Sequence, residues 1–92
     1  MFIFEWDKEK ERVNIAKHGV SFADAELAFD DPDRVLKPDL KHSLNEKRWL
    51  CFGMVRGDIM TVRFTTRGES LRIIGAAYWR KGRKEYEKEE NT

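Results

Sequence analysis

Residues 48–77 read RWLCFGMVRGDIMTVRFTTRGESLRIIGAA, and the period of this stretch decides the fold. Three apolar runs, Arg48 to Val55, Ile59 to Thr66 and Leu71 to Ala77, are rich in β-branched and aromatic residues. Arg56-Gly57-Asp58 and Arg67-Gly68-Glu69-Ser70 separate them, each with the glycine that a tight reversal favours. The pattern predicts an antiparallel meander. Its register follows from setting apolar residues opposite one another, because a one-residue slip turns a strand inside out. With Val55 opposite Ile59, Leu50 meets Phe64, Phe52 meets Val62 and Met54 meets Met60; Ile74 then lies beside Phe64 and Ala76 beside Val62. On the opposite face this register sets Arg63 between Cys51 and Gly75, and Trp49 beside Thr65 and Ile73. At the end of the apolar face, Arg48, Thr66 and Arg72 share a row.

Working outward toward the N-terminus, the period changes. Phe2, Phe4 and Trp6 alternate as in a short strand, and Asp7 offers an N-cap for a surface helix from Lys8 to His18 that Gly19 ends. Ser21 and Asp24 form a weaker capping pattern before Phe22, Ala25, Leu27, Ala28 and Phe29, whose spacing is helical until Asp30-Asp31-Pro32. Val35 and Leu36 read as a brief strand, and Pro38 to Glu46 as an ordered polar loop. Beyond the meander, Trp79 to Glu90 favours a helix without an apolar stripe, which is expected to fray. The fold class is therefore α+β, in one domain over residues 1–92, with an N-terminal strand and two helices packed on the meander and a C-terminal helix.

The composition excludes several classes. Cys51 is the sole cysteine, which rules out an internal disulfide framework and gives no support to a thiolate zinc site. No apolar run has the length of a signal peptide core or a membrane span, so a cytoplasmic chain with no membrane partner is expected. No phosphate-binding glycine loop, dinucleotide fingerprint or paired metal-ligand spacing occurs, and no metal or cofactor is indicated. Net charge is only +1, yet its distribution is uneven. Residues 72–84 carry Arg72, Arg80, Lys81, Arg83 and Lys84 without an acid, and residues 24–33 carry Asp24, Glu26, Asp30, Asp31 and Asp33 without a base.

Arg63 is the leading candidate for chemistry, since small neighbours on a central strand would leave its fork open to a phosphate. The ordinary alternative is a solvated face, or a pair with Glu46 or Glu85. Arg48 and Arg72 repel in the expected row unless an anion or an acid lies between them, and Glu46 is either that acid or a general base. His18, beside Lys17, is either a proton-transfer or phosphate-binding group or simply a cap on its helix end. His42 has no context and reads as solvated. Trp79 and Arg80, within Tyr78-Trp79-Arg80-Lys81-Gly82-Arg83-Lys84, join a stacking surface to charge, as single-stranded RNA requires, or else form an ordinary helix face.

The order of motifs adds a resemblance. Phe4-Glu5-Trp6-Asp7, Lys10, Asn14, Lys17-His18-Gly19-Val20-Ser21-Phe22 and Ala25, followed by Glu46, Arg48, Gly53, Phe64-Thr65, Arg72-Ile73-Ile74, Arg83 and Tyr86, resembles the BrnT toxin family. That resemblance implies a RelE-like fold and metal-independent cleavage of RNA through the ribose 2′-hydroxyl. It also implies a BrnA-type antitoxin as partner, through which alone the chain would meet DNA. On it Arg63, Arg48 and Arg80 are phosphate binders, Glu46 or His18 is the base, and Lys17, Arg72 and Trp79 help hold substrate. The chain departs from the family at Gly75-Ala76-Ala77, where many members have Ser-Ala-Arg. Either Arg80 substitutes for that arginine, or the chain is a catalytically silent homologue that binds antitoxin and regulates their promoter.

Overall fold

A computed structural model of the chain describes residues 2–90. Its elements are β1 (Ile3–Trp6), α1 (Lys8–His18), α2 (Phe22–Glu26), a 3-10 turn (Leu27–Asp30), β2 (Val35–Pro38), a second 3-10 turn (Leu40–His42), β3 (Trp49–Val55), β4 (Asp58–Arg67), β5 (Ser70–Ala77) and α3 (Arg80–Glu90). The strands form one five-stranded sheet in the order β1-β5-β4-β3-β2. The expected meander β3-β4-β5 is its centre. β2 adds an antiparallel edge and β1 a parallel one, so the sheet is mixed. Among the described residues, no helix is long and apolar enough to cross a membrane.

The helix ends obey local chemistry. The Asp7 carboxylate accepts from the backbone N–H groups of Glu9 and Lys10 at 2.8 and 3.1 Å, and Gly19 takes the left-handed conformation (φ 68°) that closes α1. Ser21 Oγ accepts from Asp24 N at 3.1 Å and starts α2. What α1 buries is less expected. Val13 and Ile15 are exposed, and Asn14 is the residue that turns inward, at 7% exposure. Its Nδ2 donates to the carbonyls of Val20 and Ala76, both at 2.9 Å, and its Oδ1 accepts from Ala76 N at 3.1 Å. Pairing of β1 stops at Ile73, so the Asn14 carboxamide serves the backbone of β5 where that strand has lost its neighbour. Asn14→Ala strands these buried groups, and a loss of about 2–4 kcal/mol is expected in urea unfolding. A loss below about 1 kcal/mol would show that water replaces the side chain.

The expected register fails at one hairpin. Arg56 and Gly57 both have positive φ (52° and 85°), the signature of a two-residue turn whose twist suits a hairpin, so Val55 pairs with Asp58 and not with Ile59. This turns β3 over. Trp49 pairs with Phe64, Cys51 with Val62 and Gly53 with Met60, while Arg63 has Leu50, not Cys51, as its neighbour. Ala76 does lie opposite Val62, and Gly75 opposite Arg63, but an irregularity after Arg63 sets Phe64 opposite Ile73 and Thr65 opposite Arg72. Apolar matching misleads here because β3 is buried on both faces, so either register pairs apolar residues.

Two cores result. Cys51, Val55, Met60, Val62, Phe64 and Ile73 pack under Phe22, Ala25, Ala28 and Phe29 of the α2 layer, joined by Phe4 and Trp6. On the other face Phe52 and Ile59 pack against Tyr86 of α3, with Val35 and Leu50 at the margin. The C-terminal helix, expected to fray, is therefore docked on the sheet from Gly82 to Tyr86. Gly82 lies close against Thr61 and Phe52, Tyr86 donates its hydroxyl to Asp31 at 2.7 Å, and Lys37 meets Glu85 at 2.9 Å. One glycine and one tyrosine dock this helix without an apolar stripe.

Candidate functional site

The α3 face of the sheet is only partly covered. Between β2, the segment after it, β4 and the first turn of α3 lies an open groove of about 690 Å³. Its floor is Leu50, Phe52 and Thr61; its rim carries Lys37, Lys41, Arg63, Arg80 and Lys81, with Trp79 at one end. Two acids also line it, and both are engaged: Glu85 by Lys37, and Asp39 by Arg63 and His42. Lys41, Arg80 and Lys81 form no ion pair among the described residues, so the rim has a surplus of positive charge.

Asp39 organises this groove. It is 7% exposed, and its Oδ2 accepts from Arg63 Nε at 2.8 Å. The same carboxylate receives His42 Nδ1 at 2.9 and 3.1 Å from its two oxygens. The segment from Asp39 to Arg48 is closed at its base by the bond from Asp39 N to Arg48 O at 2.8 Å. Ser43 Oγ, which donates to Asp39 O at 2.6 Å and accepts from Arg48 N at 3.0 Å, tightens it. Arg63 is thus paired with an acid, as the ordinary alternative held, but the acid is Asp39 and neither Glu46 nor Glu85. Only its Nε is used. The two terminal nitrogens of the fork have no partner among the described residues and are left for a ligand.

Burial by itself would raise the Asp39 carboxyl, but the hydrogen bonds from His42 and Arg63 and the positive charge of Arg63 outweigh it. The group lies below the usual carboxylate range. Asp31 behaves alike: burial raises it, and bonds from Met54 N, Tyr86 Oη and Asp33 N carry it below the ordinary value. A carboxyl depressed by folding contributes stability that is complete above its unfolded value, near pH 4, and is lost as pH falls through the lower folded value. The urea midpoint should therefore drop between pH 5 and pH 2.5, and Asp39→Asn should flatten part of that slope. An unchanged slope would mean that Asp39 is bonded equally well in the unfolded chain.

The other sequence candidates are dispersed around the groove. Arg80 and Trp79 line it with Arg63. The His18 ring meets the Trp79 ring edge to face (centroids 5.4 Å apart, 79°), outside the groove lining, and Lys17, its neighbour at the end of α1, lines neither this groove nor the depression beside it. Glu46 pairs with Arg48 at 3.6 Å in a smaller neighbouring depression that shares Lys41 and His42 with the groove. Arg72 pairs with Glu5 at 3.6 Å across β5 and β1, and lines neither hollow. Ala77, opposite Thr61, is 3% exposed. Burial raises the Cys51 thiol to about 12, which excludes it as a nucleophile. Two residues of the site were missed in the sequence, Asp39 and His42. His42 is exposed, as expected, but it also bonds Asp39 and lines the groove. Their i, i+3 spacing within a polar loop was the sole local signal.

Among the described residues there is no group of three or more His, Cys, Asp or Glu arranged to hold a metal ion. A family model described as a ribonuclease toxin, BrnT, of type II toxin-antitoxin systems matches residues 6–83. Comparison with curated proteins gives no match.

Proposed function

The chain belongs to the BrnT family of ribonuclease toxins of type II toxin-antitoxin systems, and from that premise we propose that it cleaves RNA without a metal, by attack of a ribose 2′-hydroxyl on the adjacent phosphate. The observation that carries this reading is the unneutralised rim of Lys41, Arg80 and Lys81 around Arg63 and the aromatic end at Trp79. A single strand needs both, cations for its phosphates and a ring for a base. Arg63 and Arg80 take the phosphoryl oxygens, whose charge rises in the transition state. Trp79 stacks a base, and Lys17 and Arg48 guide the backbone beyond the groove. Arg72 is left out, since Glu5 holds it on another part of the sheet.

The proposal includes a RelE-like version of the fold, a cytoplasmic setting and a BrnA-type antitoxin that silences the groove and makes the DNA contacts of the complex. The test is direct. The purified chain, freed of partner and supplied with EDTA, should convert RNA into fragments ending in a 2′,3′-cyclic phosphate and a 5′-hydroxyl. Its expression without antitoxin should halt growth. Intact RNA and normal growth, with a small partner copurifying, would replace this reading by that of a silent antitoxin-binding regulator, the alternative that Ala77 leaves open.

A further inference from the structure

The ribonuclease reading leaves open which group takes the proton from the 2′-hydroxyl, and the groove supplies a residue for it. His42 lines the groove together with Arg63, Arg80 and Trp79. It ends the short 3-10 turn Leu40–His42, whose backbone is fixed by the bond from His42 N to Asp39 O at 3.3 Å and by Ser43. Its side chain is 44% exposed. Nδ1 faces the Asp39 carboxylate, and Nε2 has no partner among the described residues. A carboxylate only accepts, so the proton of the neutral ring lies on Nδ1, and the lone pair of Nε2 is directed away from Asp39. The same Asp39 Oδ2 holds Arg63 Nε, which places the phosphate-binding fork and the imidazole on a common anchor.

The alternatives named from the sequence are worse placed. His18 is packed on the Trp79 ring and does not line the groove; Glu46 is engaged by Arg48 in the adjacent depression.

We propose that His42 Nε2 is the proton acceptor of the cleavage reaction and that Asp39 is its positioning residue; this rests on the ribonuclease reading above. In the step, O2′ gives its proton to Nε2 and forms the new bond to phosphorus, while the bond from phosphorus to O5′ breaks. The departing O5′ takes a proton from water, and the imidazolium returns its own to solvent. The products are a 2′,3′-cyclic phosphate and a 5′-hydroxyl, with no net change in protons or electrons. Arg63 binds the phosphoryl oxygens throughout.

The experiment compares the parent chain with His42→Ala on an RNA oligonucleotide. Affinity is measured on the same sequence with 2′-O-methyl groups, which bind but cannot react. A rate loss of about 10²–10³-fold is expected with affinity unchanged, and added imidazole should restore part of the rate in proportion to its concentration, which it cannot do for a residue that merely holds the loop. Full activity in His42→Ala, or a loss that imidazole does not repair, overturns the proposal while the ribonuclease reading stands. A parent chain that leaves RNA intact overturns both. For Asp39, the ¹⁵N shifts of the His42 ring, assigned with His18→Gln, should report the proton on Nδ1 in the parent and a loss of that preference in Asp39→Asn. A parent ring protonated on Nε2 would remove Asp39 from the role.

Discussion

Gly53→Ala is expected to cost more than about 3 kcal/mol, a large part of the roughly 5–14 kcal/mol that a chain of this size has in total. A Cβ at Gly53 would fall on the carbonyl of Ala28, within 2.8 Å of its carbon and 2.9 Å of its Cα, and closest of all to its oxygen. These are backbone atoms, so no rotamer relieves the clash. Neither side can withdraw easily. Gly53 is paired with Met60 in the middle of the hairpin, and the turn that holds Ala28 is tied to β3 at the next residue, where Asp31 accepts from Met54 N at 2.8 Å. Ala28 itself is fully buried. Gly75→Ala is the control: the nearest atom its Cβ would meet is Asn14 Oδ1, at an ordinary 3.7 Å. Urea unfolding of the two variants should separate them clearly. Equal and small losses would mean that the layer formed by α2 and its 3-10 turn lifts from the sheet at little cost.

That close approach explains one of the motif positions on which the family resemblance rests, and several others resolve similarly. Asp7, Gly19 and Ser21 cap helices, Asn14 serves the edge of β5, and Phe4, Trp6, Val20, Phe22 and Ala25 belong to the core or its margin. Arg83 and Tyr86 bind α3 to Asp58 and Asp31. The signature is thus mainly a record of how this fold closes. Specific as it is to the family, it says little about which residues do chemistry.

The parts legible in the sequence were those fixed within a few residues. Caps and stops depend on a side chain reaching its own helix end, so Asp7, Gly19 and Ser21 could be read without knowing the fold. The strands could be read from composition. Their register could not, because Arg56 occupies a left-handed position usually given to asparagine or glycine, and because the double burial of β3 erases the alternation that would have exposed the slip. The site failed for a different reason. Arg63 was legible as an arginine among strand residues, but its partner lies 24 positions away in a loop, and a polar loop carries no periodicity from which its direction could be inferred. His42 had meaning only once Asp39 was seen to be buried against it.

Arg63→Ala should reduce RNA cleavage by about 10²–10³-fold, the effect of deleting one donor aimed at developing oxyanion charge. The side chain also has a structural partner, so the loss must be separated from instability. Removing Arg63 leaves Asp39, nearly buried, with His42 as its remaining partner, and some stability will be lost with the pair. Arg63→Lys makes the first distinction. It preserves a positive charge near Asp39 but not a fork that can bond the carboxylate with one nitrogen and a phosphate with others, so stability should recover more than activity. Arg63→Ala in an Asp39→Asn background makes the second, since no unpaired carboxylate then remains. Arg80→Ala should act more mildly, mainly on affinity and on its salt dependence, because Arg80 is exposed and forms no ion pair among the described residues. If Arg63→Ala keeps its thermal midpoint and cleaves within about threefold of the parent rate, the groove is not the active site, since so small a change amounts to well under 1 kcal/mol of transition-state stabilisation. Cleavage would then belong to the depression that Arg48 and Glu46 share with His42.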